Sequence, residues 1–233
     1  MLRRNLILLV TIVVILPLCI FYGSEPAPMN FYTTNFEKSE NPISEKGHWK
    51  NGKADGNDWY DVQTTPGKAF GTQTEGKYTD PTAILTGNWE PNQMVTAKVF
   101  CKNPNSKYYQ EVEIRLRSNI TAHSCTGYEV FWRCLTNKDA YTTVARWNGQ
   151  VRDFNYIGGR GGEGYGVADG DTVSASMIGD VISVYRNGSL LFTVKDSTYK
   201  TGNPGMGFNF EVGNTYADFG FTQFTARAAG IAE

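Results

Sequence analysis

The run Glu111-Val-Glu-Ile-Arg-Leu-Arg117 alternates charged and apolar residues without a break. Only a backbone with a two-residue side-chain period puts Val112, Ile114 and Leu116 on one face and Glu111, Glu113, Arg115 and Arg117 on the other. A strand with one face in a core is therefore required, predicted over Tyr109–Ser118. The device recurs. In Tyr128–Leu135, Tyr128, Val130 and Trp132 oppose Glu129, Phe131 and Arg133.

Strands are also expected at Val95–Cys101, Tyr141–Trp147, Thr172–Met177, Val181–Tyr185, Leu190–Val194, Met206–Val212 and Tyr216–Thr225. Turn residues separate them. Asn148-Gly149 is a hairpin signal, Gly179-Asp180 and Asn187-Gly188 join adjacent strands, and Asn203-Pro-Gly205 reads as a turn. Gly158–Gly166 reads as a glycine-rich loop. No segment sustains a helical period. Roughly ten to thirteen strands with polar turns read as an all-β antiparallel sandwich of two sheets. The 25 Gly, 13 Tyr and 13 Phe suit many short strands.

The N-terminus has another character. Arg3-Arg4 precedes an uncharged apolar stretch, Leu6–Tyr22, the plan of a signal peptide or a membrane anchor. The chain is accordingly divided into a signal or anchor helix at 1–28 and one domain at 29–233. The expected location is extracellular or at the cell surface, with membrane contact only through the first segment. Arg3 and Arg4 would keep the N-terminus in the cytoplasm if the segment is retained.

A net charge of -1 argues against a nucleic-acid partner, which calls for a basic excess. Cys101, Cys125 and Cys134 allow one bridge at most. An extended 127–133 segment keeps Cys125 and Cys134 apart, leaving Cys101 paired with either, or three buried thiols. His48 and His123 stand alone, without metal-ligand spacing, so no metal site or cofactor is expected. Asp169-Gly-Asp171 with Asp218 offers calcium too few oxygens to argue a site, though calcium is not excluded. The simplest reading of 169–171 is a turn before a strand.

The run Val181–Leu191, with its Asn187-Gly188 turn, followed by Asp196 and Gly202-Asn-Pro-Gly205, resembles the concanavalin A-like (laminin-G-like) jelly-roll sandwiches. Asn35-Phe36, Asn41-Pro-Ile-Ser44 and Gly47-His-Trp49 look like the opening of bacterial extracellular members. Ala83–Gln93 looks like their next element. The resemblance spans about Phe36 to Phe224 and implies the fold. This fold carries lectins, glycan-binding modules, hydrolases and lyases alike, so it does not choose among them.

Three functions follow as expectations. The first is non-catalytic recognition of a polysaccharide or surface glycan on the face shared by Glu113, Arg115, Glu129, Phe131 and Arg133, with Arg146 on the next strand. Flat rings cover sugar CH faces, while Glu and Arg bond hydroxyls. Trp59, Tyr60, Trp147, Tyr156 and Tyr165 lie in or beside loops and could extend the surface. The second is a jelly-roll lyase or glycoside hydrolase, in which Glu113 and Arg115 would be catalytic. Here the resemblance is incomplete: the glycosidases' Glu-x-Asp-x-x-Glu lacks its third carboxylate, and the alginate lyases' Arg-x-Glu-Leu-Arg begins with Glu111. The third is a structural or adhesive surface protein. The plainest reading of Glu111, Glu113, Arg115 and Arg117 is a solvated strand face with ion pairs to Glu129 and Arg133.

Overall fold

The computed structural model describes residues 31–53, 58–74, 78–211 and 216–230; the 1–28 segment lies outside them. The described residues form fifteen strands in two antiparallel sheets, and their only helix is one 3-10 turn at Tyr216–Asp218. None of their helices is long and apolar enough to cross a membrane.

The front sheet has the order β10-β9-β8-β7-β14-β5-β2. Its strands are β2 (Trp49–Asn51), β5 (Thr82–Leu85), β7 (Gln110–Thr121), β8 (Ser124–Arg133), β9 (Tyr141–Gly149), β10 (Phe154–Gly161) and β14 (Asn203–Phe210). The back sheet has the order β13-β12-β11-β6-β15-β4-β3, with β1 also pairing β15. It comprises β1 (Phe31–Thr34), β3 (Val62–Thr65), β4 (Lys68–Gly71), β6 (Gln93–Cys101), β11 (Thr172–Ile178), β12 (Val181–Arg186), β13 (Ser189–Lys195) and β15 (Phe219–Ala228).

The alternation in sequence becomes layering. Val112, Ile114, Leu116, Tyr128, Val130 and Trp132 point inward from the front sheet and meet Val95, Ala97, Val99, Phe221 and Phe224 from the back sheet. A fully buried aromatic contributes about 1.5–3 kcal/mol of transfer free energy, so this layer is the main stabilising element. At the tip of β12–β13, Asn187 and Gly188 have φ of 50° and 78°, the left-handed pair that a two-residue hairpin turn demands.

Four local expectations shift. Asn203-Pro-Gly205, read as a turn, opens β14 and pairs with β7. β10 occupies part of the stretch read as a glycine-rich loop: Gly158 faces Val194 in the core, where any Cβ would collide, and Gly159 lies against Thr143. The β9–β10 turn falls at Gln150–Asp153, so Asn148-Gly149 closes β9 instead of forming the bend. A bulge after Leu116, with Arg117 at φ 45°, breaks the period. Arg117 therefore leaves the face of Glu111, Glu113 and Arg115; its guanidinium bonds the carbonyls of Pro91 and Tyr199.

The three described cysteines are free and buried. Cys101 and Cys134 belong to the core between the sheets and are hydrogen-bonded, whereas Cys125 lies beyond the front sheet, with Trp59, Ile84, Ile120 and Trp147. The front sheet thus stands between Cys101 and Cys125, which removes one of the expected pairings.

Candidate functional site

The outward face of the front sheet carries the charged side chains. The β7–β8 register sets Glu111 opposite Arg133, Glu113 opposite Phe131 and Arg115 opposite Glu129. The β8–β9 register adds Ala145 and Thr143, and Trp147 follows on the same side. Glu113, Arg115, Glu129, Phe131 and Arg133 therefore share one face.

Arg146 does not join them. It is the inward neighbour of Ala145 and Trp147 and pairs with Tyr128. There it closes the sandwich rim, bonding Asp196 at 2.6 Å and Thr198 at 3.0 Å. Arg133 is on the right face but turns its guanidinium to the carbonyls of Asp139, Asn105 and Ser106.

The face is not solvated, contrary to the plain expectation for such a strand. Glu113 and Arg115 are 0% and 1% exposed, and Glu111 and Glu129 are buried as well. The cover comes from distant residues. Trp59 packs edge-on against Trp147, which packs on Phe154. This is a second apolar cluster, outside the core, and it encloses the charges.

Within the enclosure Arg115 is surrounded by carboxylates. Its Nη2 lies 2.7 Å from Glu113 and 3.7 Å from Asp80, and its Nη1 lies 2.7 Å from Glu129. Its guanidinium stands 5.6 Å from the Trp147 ring centre, in cation–π range. The Trp147 indole N–H donates to Glu129. Burial works against a charged Arg115, but Glu129 and Glu113 more than offset it and hold its pKa above the ordinary range. Burial, then the charge of Glu129, raises both Asp80 and Glu113 well above ordinary carboxyls, with Arg115 opposing.

Oxygens of Asp80, Glu113 and Glu129 lie within 4.8 Å of one another, a spacing open to a metal ion. Arg115 already supplies the positive charge at that point, so the donor set fits a guanidinium better than a cation of its own.

Glu111 sits beside this group. The Tyr141 hydroxyl donates to its Oε1, and Asn209 Nδ2 donates to its Oε2 at 2.8 Å. Burial pushes its pKa up to about 7, the two hydrogen bonds pull it partly back, and the Glu129 charge adds to the rise.

Above these groups a pocket of about 120 Å³ opens to solvent. Phe131, Tyr141, Trp147, Phe154 and Tyr156 form its walls, with Tyr78 and Tyr109 at the rim. Asp80, Glu111, Glu129 and Asn209 supply its polar lining. Phe131 and Tyr156 have ring centres 6.1 Å apart, and Tyr156 is 60% exposed. A shallower groove continues past Thr143 to Gly158 and Gly159.

Of the residues expected to bind, Glu129 and Phe131 line the pocket, while Glu113 and Arg115 lie beneath it. Asp80, Tyr141 and Asn209 were not foreseen. Tyr141 and Asn209 could have been found by continuing the outward alternation on β9 and β14. Asp80 precedes its strand and has no such signal.

No protein-family model matches the chain, and no curated protein does. Solved structures do resemble it. The carbohydrate-binding module CBM66 from Bacillus subtilis superposes with a TM-score of 0.51 at 14% identity, covering 72% of this chain and 95% of that one. The potassium-bound carbohydrate recognition domain of Emp46p gives 0.55 at 11%, covering 83% and 94%. The apo Crh5 transglycosylase gives 0.51 at 12%, covering 88% and 86%. At such identities the likeness is one of fold, and the fold is the concanavalin A-like jelly roll.

Proposed function

We propose that this domain recognises a glycan, without catalysis, in the aromatic-walled pocket on the outward face of the front sheet. One observation carries the reading: flat rings, with Tyr156 largely exposed among them, surround buried hydrogen-bond acceptors. Rings of this kind stack on sugar CH faces, and carboxylate and amide oxygens accept from sugar hydroxyls. Similarity in fold to proteins described as carbohydrate-binding and carbohydrate-recognising supports the reading.

A hydrolytic or transglycosylating role is the second reading. It is favoured by the closeness of the Asp80, Glu113 and Glu129 oxygens, since retaining glycosidases set two carboxyls about 5 Å apart. Two features weigh against it. Glu113 is enclosed, and both Glu111 oxygens already accept hydrogen bonds from the protein. A lyase is less well supported, because a uronate needs a free cation and Arg115 is surrounded by carboxylates. An adhesive role has no particular observation behind it.

Export by the 1–28 segment, placing the domain outside the cell, belongs to the same proposal. A glycan array probed with the full chain tests binding, and reducing-sugar release from the bound glycans tests catalysis. Retention without release supports recognition. Release would put hydrolysis in its place, and binding to no glycan would sink both.

A further inference from the structure

Two buried acceptors in the pocket's lining are left without donors. Asp80 Oδ1 and Asn209 Oδ1 are buried and have no hydrogen-bond partner among the described residues. Both residues are more than nine-tenths buried and line the pocket. The amide nitrogen of Asn209 is already committed to Glu111, which fixes its oxygen as the free end. A buried acceptor without a donor costs about 1–3 kcal/mol, so the site is incomplete until something brings donors.

Charge points the same way. Asp80, Glu113 and Glu129 are three carboxyls around one guanidinium, Arg115, and Glu111 lies beside them. The other candidate, Arg133, is turned to loop carbonyls. Carboxyls therefore outnumber cations in the enclosure, and burial first, then the charge of Glu129, raises the pKa of Asp80 and Glu113. A uronate or sulfated sugar would add negative charge to the deficit. A neutral hydroxyl offers one donor. An ammonium offers three donors and the missing charge, and the aromatic walls attract cations as well as CH faces.

Resting on the glycan-binding reading above, we propose that the sugar seated in this pocket carries a free amine, as a de-N-acetylated amino sugar does. Its ammonium is placed to donate to Asp80 Oδ1 and Asn209 Oδ1 with Glu129 alongside, while the ring lies against Phe131 and Tyr156.

The test is interferometry on the immobilised full chain in mild detergent. Its analytes are tetramers of glucosamine, N-acetylglucosamine, glucose and galacturonate, with calcium chloride alone as a fifth. The glucosamine tetramer is expected to bind at least about tenfold more tightly than its N-acetylated form, a difference of about 1.4 kcal/mol. The galacturonate tetramer and calcium are expected not to bind. Asp80→Asn should reduce the amine preference to below about threefold. Asn209→Ala is the second variant should the first fail to fold, as judged by a melting curve.

Equal or tighter binding of a neutral tetramer, or any binding of galacturonate, overturns the amine while leaving glycan recognition standing. Calcium binding that abolishes the preference overturns it in favour of a metal site. Failure of every tetramer, together with a blank array, removes the amine and the glycan reading at once.

Discussion

Gly207 on β14 faces Glu113 on β7, and the Glu113 carboxylate fills the space that a side chain at 207 would take. Arg115 crowds the same point, with Nε 3.0 Å from the position of such a Cβ. The glycine is what lets a carboxylate and a guanidinium lie flat across the neighbouring strand. Gly207→Ala must push apart a buried ion pair. It is expected to destabilise the domain by about 2–4 kcal/mol, read from the denaturant midpoint at constant slope.

Removing the cation has a different signature. Arg115→Met leaves Asp80, Glu113 and Glu129 buried without compensation, a cost of about 3–5 kcal/mol at neutral pH. Carboxyls whose folded pKa is raised stabilise fully below their unfolded pKa and lose that contribution as pH rises through the folded value. The deficit should therefore shrink in acid, below about pH 4.5. Urea melts at pH 4 and pH 7 compare the two conditions, and an equal deficit at both would contradict the assignment.

Glu111 gives the same linkage in the unmutated protein. Its pKa is about 7 when folded and 4.5 ordinarily. The folded state holds the proton more tightly, so stability is full below pH 4.5 and falls as pH climbs towards 7. The difference corresponds to about 3 kcal/mol. Glu111→Gln keeps the shape, and its amide can donate to the free Asn209 Oδ1 once the Asn209 amide turns over. This variant should flatten the decline between pH 4.5 and 7, measured as the change in denaturation midpoint with pH.

Tyr156 tests the face itself. It packs on Phe131 and Phe154, yet it is largely exposed. Tyr156→Ala should leave the melting temperature within a few degrees of the parent while weakening glycan binding by about tenfold or more. Unchanged binding would move the ligand away from this pocket.

The thiols should be silent in the native state. Burial pushes Cys125 up to about 11 and raises Cys134 well above an ordinary thiol. Thiolate is the reactive form. Neither should be alkylated by iodoacetamide at pH 7.5 over minutes, and both should be alkylated in denaturant, as mass spectrometry would record.

Alternation alone was enough to read Glu113, Arg115, Glu129, Phe131 and Arg133 onto one face, because a strand's period is a local property. It failed wherever the backbone departs from that period. A bulge carried Arg117 away. Arg146 is a separate case: β9 keeps its period, and because Trp147 takes the outward place, Arg146 lies inward. Glycine hid β10, since Gly158 and Gly159 are there for close approach and not for strand propensity. The larger surprise is burial. Nothing near Glu113 in sequence announces that Trp59, more than fifty residues earlier, will enclose it, or that Asp80 will stand beside Arg115. The pocket is a product of contacts between distant segments, and such contacts leave no periodic trace.

The pairing of β1 with β15 sets Phe31 opposite Arg227, so the described chain starts and finishes side by side on the back sheet. The pocket opens on the other side of the sandwich. A fusion partner, a surface attachment or a short peptide closing the chain into a ring could be placed at this seam without crossing the pocket's mouth. The seam and the proposed binding side face opposite ways.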